Sequence, residues 1–328
     1  MTATHGVRVV SADELREKLA FVDLIEPVSR AFQESSAGLA DNGLIVMFPA
    51  ARQEDGDVYV KTGTLRDHSV FIVKIAPWFA ANVDEGVPQG GFVGVFDSKT
   101  GHTRAILADE HYLSDIRTAA AGALSARILA PKQIETAAVL GAGTQAYWQC
   151  LALYHERPFK RLLVWARDPD RAHGLIGRLS DALPGTDMQV VTMPETAVRN
   201  ADVIVTATVA REPIVKGEWL RPGQHLTAVG ADDPTKCELD DRVLRIARVF
   251  VDCRQTAASN GDVYRATSTG AFDIEDLAGE IGQVLSGSVA GRTSDDDITV
   301  AKLVGIGAQD VATAETVIER LGFLATSR

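Results

Sequence analysis

Residues 135–148 read ETAAVLGAGTQAYW, and no other stretch restricts the possible folds of this chain so strongly. Ala137–Leu140 is an apolar run suited to a buried parallel strand. Gly141, Ala142 and Gly143 then turn the chain, and Thr144, Gln145 and Ala146 open a helix. A strand, a Gly-x-Gly turn and a helix N-terminus make a cradle for a pyrophosphate. The glycines let backbone approach the ligand, and the free helix N–H groups and dipole favour an anion. Ala146, the third small residue, permits close packing of helix on strand.

The chain continues as such a fold requires. A helix over about 144–154 leads to a second strand at 161–166. A helix over 170–183, closed by Pro184-Gly185, leads to a third strand at 188–192. A short helix over 194–200 precedes a fourth strand at 201–207, and further strands follow at 225–230 and 248–252. Apolar strand runs alternating with helices indicate an α/β fold with a Rossmann-type, doubly wound parallel sheet. The residue ending the second strand chooses between nicotinamide cofactors: an acid holds the ribose hydroxyls of NAD, and an Arg suits the 2′-phosphate of NADP. Here Ala166 is followed by Arg167, which favours NADP(H) over NAD(H); Asp168 and Asp170 come slightly late for the ribose.

The first ~125 residues form a different module. Ser11-Ala-Asp-Glu14 reads as a capping box before a short helix. Asp23-Leu-Ile-Glu26 reads as a second, placing Pro27 in a first helical turn that runs on to about Ser35. Strand-like pieces follow at 58–62, 69–76, 91–96 and 104–108, consistent with an α+β domain on an antiparallel sheet. An Ala-rich helix from Leu113 to Leu129 bridges to the nucleotide region. The expected division is 1–125 plus 305–328 for the substrate-binding and dimerisation domain, and 126–304 for the dinucleotide-binding domain.

Charge and composition narrow the function classes. A formal charge of −11 argues against nucleic acid or an anionic membrane as partner. No apolar run reaches the ~18 residues of a membrane span, and the N-terminus lacks a signal-peptide pattern. Three scattered cysteines suit a reducing cytoplasm better than a disulfide framework. The seven histidines show no ligand spacing, so no metal site is expected.

Several blocks then resemble the ornithine cyclodeaminase and mu-crystallin family along nearly the whole chain. They are Val73-Lys-Ile75, Leu113-Ser-Asp-Ile-Arg-Thr-Ala-Ala-Ala121, Gly141-Ala-Gly-Thr-Gln145, Ala228-Val-Gly-Ala-Asp-Asp-Pro-Thr-Lys236 with Glu238-Leu239, and Asp296-Asp-Ile-Thr299 ahead of Val304-Gly305. Local wording such as Gly56-Asp-Val-Tyr-Val-Lys-Thr62 is similar to the ectoine-utilisation branch. The resemblance implies a cytoplasmic homodimer with NAD(P) hydride exchange at the α-carbon of a small amino, imino or keto acid. Imine and ketimine reductases and amino-acid dehydrogenases work this way. Redox-neutral cyclodeaminases, which release ammonia from a diamino acid, use the same residues. Mu-crystallins also serve as NADP(H)-dependent ligand binders.

By the same resemblance, Lys74 and Arg117 hold the substrate carboxylate, with Arg52 in Phe48-Pro-Ala-Ala-Arg52 as a third cation. Asp232 stands beside the reacting carbon as the proton-handling group, and Lys74 joins it as catalytic. Thr118, Gly141, Gly143, Thr144, Gln145, Arg167, Thr206 and Lys236 form the cofactor set. A planar Arg fork suits a carboxylate, and two cations on one anion fix its α-carbon. Asp233 is the control for Asp232, and its change to Asn is expected to be mild. Ornithine-specific members carry an acid on the strand entering the pocket, where this chain has Tyr59-Val-Lys-Thr62. Lys61 is therefore read either as a cation for a second carboxylate or polar group, or as a solvated strand lysine.

Overall fold

The computed structural model describes residues 7–322, Glu54 apart. Two compact units emerge. One comprises the chain up to Arg117 together with the segment from Ile306 onward, and the other comprises Thr118–Gly305.

In the first unit, β1 (Arg8–Ser11), α1 (Ala12–Lys18), α2 (Phe21–Ser36), β2 (Ala40–Met47), β3 (Gly56–Leu65), β4 (Val70–Phe79), α3 (Ala80–Glu85), β5 (Phe92–Asp97) and β6 (Thr103–Ala108) follow in turn. α4 (Tyr112–Leu129) carries the chain into the second unit. The sheet runs β1-β6-β5-β4-β3-β2, antiparallel except where β1 pairs parallel with β6. Ser11 caps α1 by accepting from Glu14 N, as its sequence suggests. α2 departs from the reading. It starts at Phe21, three positions earlier than a cap at Asp23 would allow, and Asp23 reaches back to the N–H of Ala20. Pro27 therefore lies inside the helix and costs the bond that would reach the Asp23 carbonyl. The buried stripe Leu24, Ile25, Val28, Ala31 and Phe32 outweighs that loss.

The second unit contains β7 (Thr136–Leu140), α5 (Thr144–Glu156), β8 (Arg161–Trp165), α6 (Pro169–Ser180), β9 (Asp187–Val190), α7 (Pro194–Asn200), β10 (Val203–Thr206) and β11 (His225–Ala228). α8 (Asp241–Ile246), β12 (Arg248–Val251), α9 (Arg254–Ala257), α10 (Gly261–Ser268), β13 (Gly279–Glu280), α11 (Ile281–Leu285) and β14 (Thr299–Lys302) complete it. The chain then returns to the first unit as α12 (Gly307–Arg320), which packs on α2 and on β2, β3 and β4.

All strands of the second sheet are parallel, in the order β13-β12-β14-β11-β10-β7-β8-β9. Alternation along β7 shows why it is doubly wound. Ala137 and Val139 join one core with Ala146, Cys150 and Leu175, while Ala138 and Leu140 join another with Ile204, Leu226 and Val243. β14 was not expected; its four residues end in Lys302, yet it sits between β11 and β12. The order also reverses beside β7. The chain moves outward through β8 and β9, then returns to β10 on the other side. In such sheets ligands bind beyond the carboxyl ends of the strands at that switch point.

Candidate functional site

In the nucleotide unit the carboxyl end of β7 meets its requirements. Gly141 has φ 122°, and a Cβ there would collide with the Ala207 carbonyl just past β10. Only glycine permits both the conformation and the approach. Gly143, the N-cap of α5, offers no side-chain cap, and a Cβ there would meet nothing within 4 Å. No N-cap side chain therefore answers the first N–H groups of this 13-residue helix. A pyrophosphate fits that arrangement. Thr144 is exposed and Gln145 half-buried at the same helix start. The Thr118 carbonyl accepts from Gln149 Nε2, which ties α4 to α5. Arg167 is exposed, two residues past β8. Asp168 caps α6 by accepting from Asp170 N and so has structural work of its own.

Thr206 is fully buried, and its hydroxyl donates to Glu238 Oε2 at 2.8 Å. Its hydroxyl is thus engaged within the floor of the strand ends. Glu238 is the residue the sequence reading left unassigned. Its carboxylate also accepts from Thr208 N and Oγ1 and from Gly230 N, joining the ends of β10 and β11. Behind it, Asp262 accepts from Glu238 N and Leu239 N and pairs with Lys302 at 3.1 Å, both side chains fully buried.

The loop after β11 carries the neighbouring aspartates. Asp233 is fully buried; its Oδ1 accepts from Thr235 N, Thr235 Oγ1 and Lys236 N. Asp232 keeps 31% of its side chain exposed and lies 2.9 Å from Lys236 Nζ. Lys236 also approaches Asp233 Oδ2 at 3.3 Å. Lys236 thus bridges both acids within the loop, and Asp232 is the more open of the two.

The first unit gathers a buried charge cluster. Alternation along β3 and β4 puts Tyr59, Lys61, Lys74 and Ala76 on one face, buried. Lys61 and Lys74 are direct cross-strand partners. A solvated Lys61 is therefore ruled out, since the residue is only 4% exposed. Lys74 Nζ donates to Ser114 Oγ at 3.0 Å and to Asp310 Oδ1 at 2.7 Å. Arg117 Nε donates to the same Oδ1 at 3.2 Å, with 7% of its side chain exposed. Among the described residues its guanidinium makes no other bond, and Asp310 Oδ2 is buried without a hydrogen-bond partner. Burial would raise the Asp310 carboxyl, but the charges of Lys74, Arg117 and Lys61 outweigh it and hold the group below its usual range. Burial pushes Lys74 down, and the Asp310 charge opposes that. Asp109 is pushed up by burial, despite the Lys74 charge and a bond from Leu113 N.

Arg52 does not join this cluster. Its side chain is 68% exposed and forks onto Asp55 at 2.7 and 2.8 Å. Asp310 was missed, although a signal was present. It lies with Ala314 and Val317 on the buried face of α12, where an acid is out of place. Among the described residues there is no cluster of His, Cys, Asp and Glu able to hold a metal, and no helix is long and apolar enough to cross a membrane.

Comparison with known proteins adds relatives to this geometry. The model of the ornithine cyclodeaminase/mu-crystallin family matches residues 7–322. A Rhizobium meliloti protein named as a dehydrogenase is 40% identical over 81% of this chain and 80% of its own. A Sinorhizobium fredii protein named as an uncharacterized cyclodeaminase is 35% identical, covering 96% of each. Among solved structures, the Thermococcus litoralis Delta(1)-pyrroline-2-carboxylate reductase in complex with NADH and L-proline superposes with a TM-score of 0.89. It is 27% identical and covers 96% of this chain and 97% of that one.

Proposed function

The chain belongs to the ornithine cyclodeaminase/mu-crystallin family, and from that premise we propose that it is an NAD(P)-dependent oxidoreductase acting at the α-carbon of a small amino or imino acid. One observation carries this reading. Arg117 is a buried guanidinium engaged only through Nε, and it stands beside the buried ammonium of Lys74 on a shared aspartate oxygen. Buried Arg donors left open are costly unless an anion completes them, and a planar carboxylate is the anion that fits their fork. The nicotinamide, when bound, supplies or accepts the hydride. Lys74 and Arg117 hold the carboxylate so that the α-carbon is fixed. Asp232, the more open acid of its loop, exchanges a proton with the substrate nitrogen. Gly143 and the start of α5 hold the pyrophosphate, and Arg167 takes a 2′-phosphate, so NADP(H) is the preferred cofactor. The protein acts as a homodimer in the cytoplasm.

The second reading is a redox-neutral cyclodeaminase, which the name of the Sinorhizobium relative supports. The buried Lys61 opposes it for ornithine, whose distal ammonium would meet a like charge.

Substitution and titration test the main reading. Arg117→Ala should lower kcat/KM by about a hundredfold, the worth of a charge-assisted bond, and leave the cofactor Kd unchanged. An equal loss of cofactor binding would remove Arg117 from the substrate site. NADPH should bind tighter than NADH, and Arg167→Ala should weaken NADPH by about 1–3 kcal/mol. Tighter NADH binding would reject the assignment of Arg167.

A further inference from the structure

Lys302 ends β14 at the carboxyl edge of the parallel sheet, and the residue is fully buried. A buried ammonium is costly unless it is paired. Its Nζ lies 3.1 Å from Asp262 Oδ2 and 3.4 Å from the Ala228 carbonyl oxygen. Replacing such an ion pair by uncharged residues is often neutral for stability, so stability alone does not account for it. Its geometry supplies another use. With Oδ2 drawn to Lys302, Asp262 turns Oδ1 to the backbone, where it accepts from Glu238 N at 2.6 Å and from Leu239 N at 2.8 Å.

Those two N–H groups close the loop 230–239. The loop's start is held where Gly230 N donates to Glu238 Oε2. Its middle is held where the Asp233 carbonyl accepts from Gly261 N at 2.9 Å. Gly261 and Asp262 are the first two residues of α10, so one helix start grips the loop twice. Only glycine suits position 261. Its φ is 73°, and a Cβ would lie 2.4 Å from the Ala231 carbonyl oxygen and 2.8 Å from Lys302 Cε. Loop backbone, helix start and lysine stem therefore pack directly on one another. The loop held in this way carries Asp232, 31% exposed, beside Lys236.

We infer that Lys302 and Asp262 are positioning residues for proton transfer: the buried pair fixes the loop 230–239 so that Asp232 presents its carboxylate to the substrate nitrogen. This rests on the assignment of Asp232 in the oxidoreductase reading. The proton moves between the Asp232 carboxyl and that nitrogen, and no bond is made to Lys302 or Asp262. Proton transfer needs hydrogen-bond reach, and a misplacement of about 1 Å costs on the order of a hundredfold in rate.

The neutral pair Asp262→Asn/Lys302→Met strands no charge and tests the inference on the full-length protein. Its melting temperature should stay near that of the wild type. In reduction of Delta(1)-pyrroline-2-carboxylate, or of pyruvate with ammonia, by NADPH, kcat should fall about tenfold to a hundredfold. KM and the NADPH Kd should change by less than about twofold. In an Asp232→Asn background the same pair of substitutions should leave kcat nearly unaltered, because no base remains to be positioned. Asp262→Glu, which keeps the charge but moves it by one methylene, is the second variant and should show the same pattern. Amide exchange over 230–239 should quicken in the neutral pair while 161–190 keeps wild-type protection. Wild-type kcat in the neutral pair, an equal loss in the Asp232→Asn background, parallel changes in KM and Kd, or unchanged exchange would each overturn the inference. Full activity in Asp232→Asn alone would instead remove Asp232 from the proposed mechanism, and the inference with it; that result needs no change at 262 or 302, so the two failures are told apart. Turnover of neither probe would count against the oxidoreductase reading, while exchange still decides whether the pair holds the loop.

Discussion

In the nucleotide unit, Glu238 accepts four hydrogen bonds, two on each oxygen, from donors at the end of β10, in the loop after it and just past β11. In the other unit, Asp310 accepts two on Oδ1 and none on Oδ2, and the arginine beside it is engaged only through Nε. Both carboxylates are buried. A buried polar group with all its partners rigidifies the structure around it. A buried group with open valence carries a cost that a ligand or an ordered water can remove. On the proposed reading, Glu238 serves architecture and Asp310 with its cations serves binding. Within one loop, Asp233 is buried with three donors on one oxygen, while Asp232 keeps 31% of its side chain exposed beside Lys236.

The largest effect should come from Asp310→Asn. Removing the counter-charge of two buried cations should destabilise the protein by about 3–5 kcal/mol in denaturant unfolding. It should also raise KM for the substrate without altering cofactor Kd. Unchanged KM in a folded variant would make Asp310 a second Glu238 and erase the contrast. Next, Asp232→Asn should lower kcat by about 10²–10⁴-fold while the melting temperature holds, because it removes a proton-transfer group on an open side chain. Asp233→Asn should do the reverse: its amide would face the Lys236 ammonium, and stability should fall more than rate. This replaces the expectation that Asp233 is a silent neighbour. If Asp233→Asn alone loses activity, the two roles are exchanged.

Glu238→Gln sharpens the other side. One oxygen becomes an NH₂ group, which must face either Thr208 N or Gly230 N, and neither backbone donor can turn away. The expected loss is about 1–3 kcal/mol of stability, measured by denaturant titration. A variant as stable as the parent would mean that the saturated network contributes little.

A further effect belongs to pH. His225 is buried at the start of β11 between Thr227 and Thr299, and burial, with Arg292 nearby, pushes it down to about 3. In the unfolded chain it takes up a proton near 6.5. Its contribution is therefore complete above about pH 6.5 and is lost as pH falls toward 3. The added slope is about 1.4 kcal/mol per pH unit. His225→Asn should flatten the stability profile in that window; an unchanged slope would show that the histidine does not stay neutral.

Much of the nucleotide unit was legible because its signals are local. The run Ala137–Leu140, the two glycines and the helix start lie next to one another in sequence, and the alternating apolar runs set the winding. β14 escaped notice because its pairing with β11 and β12 is a long-range property of four residues. The buried charge cluster was half legible. Lys74 and Arg117 stood in recognisable blocks, and the alternation of β3 put Lys61 in phase with Tyr59. Asp310 comes from the far end of the chain, 236 residues from Lys74, and only the return of α12 brings it in. The partner of the Thr206 hydroxyl was not legible either, because Glu238 lies 32 residues later.

The central claim is net hydride transfer at a substrate held by Lys74 and Arg117. Its most direct test follows the nicotinamide absorbance and free ammonia together, while the purified protein reacts with α-keto acids plus ammonia and, separately, with diamino acids. The account predicts loss of NAD(P)H in step with amino-acid formation, abolished in Arg117→Ala. Ammonia released from a diamino acid with no net change in the nicotinamide would contradict it.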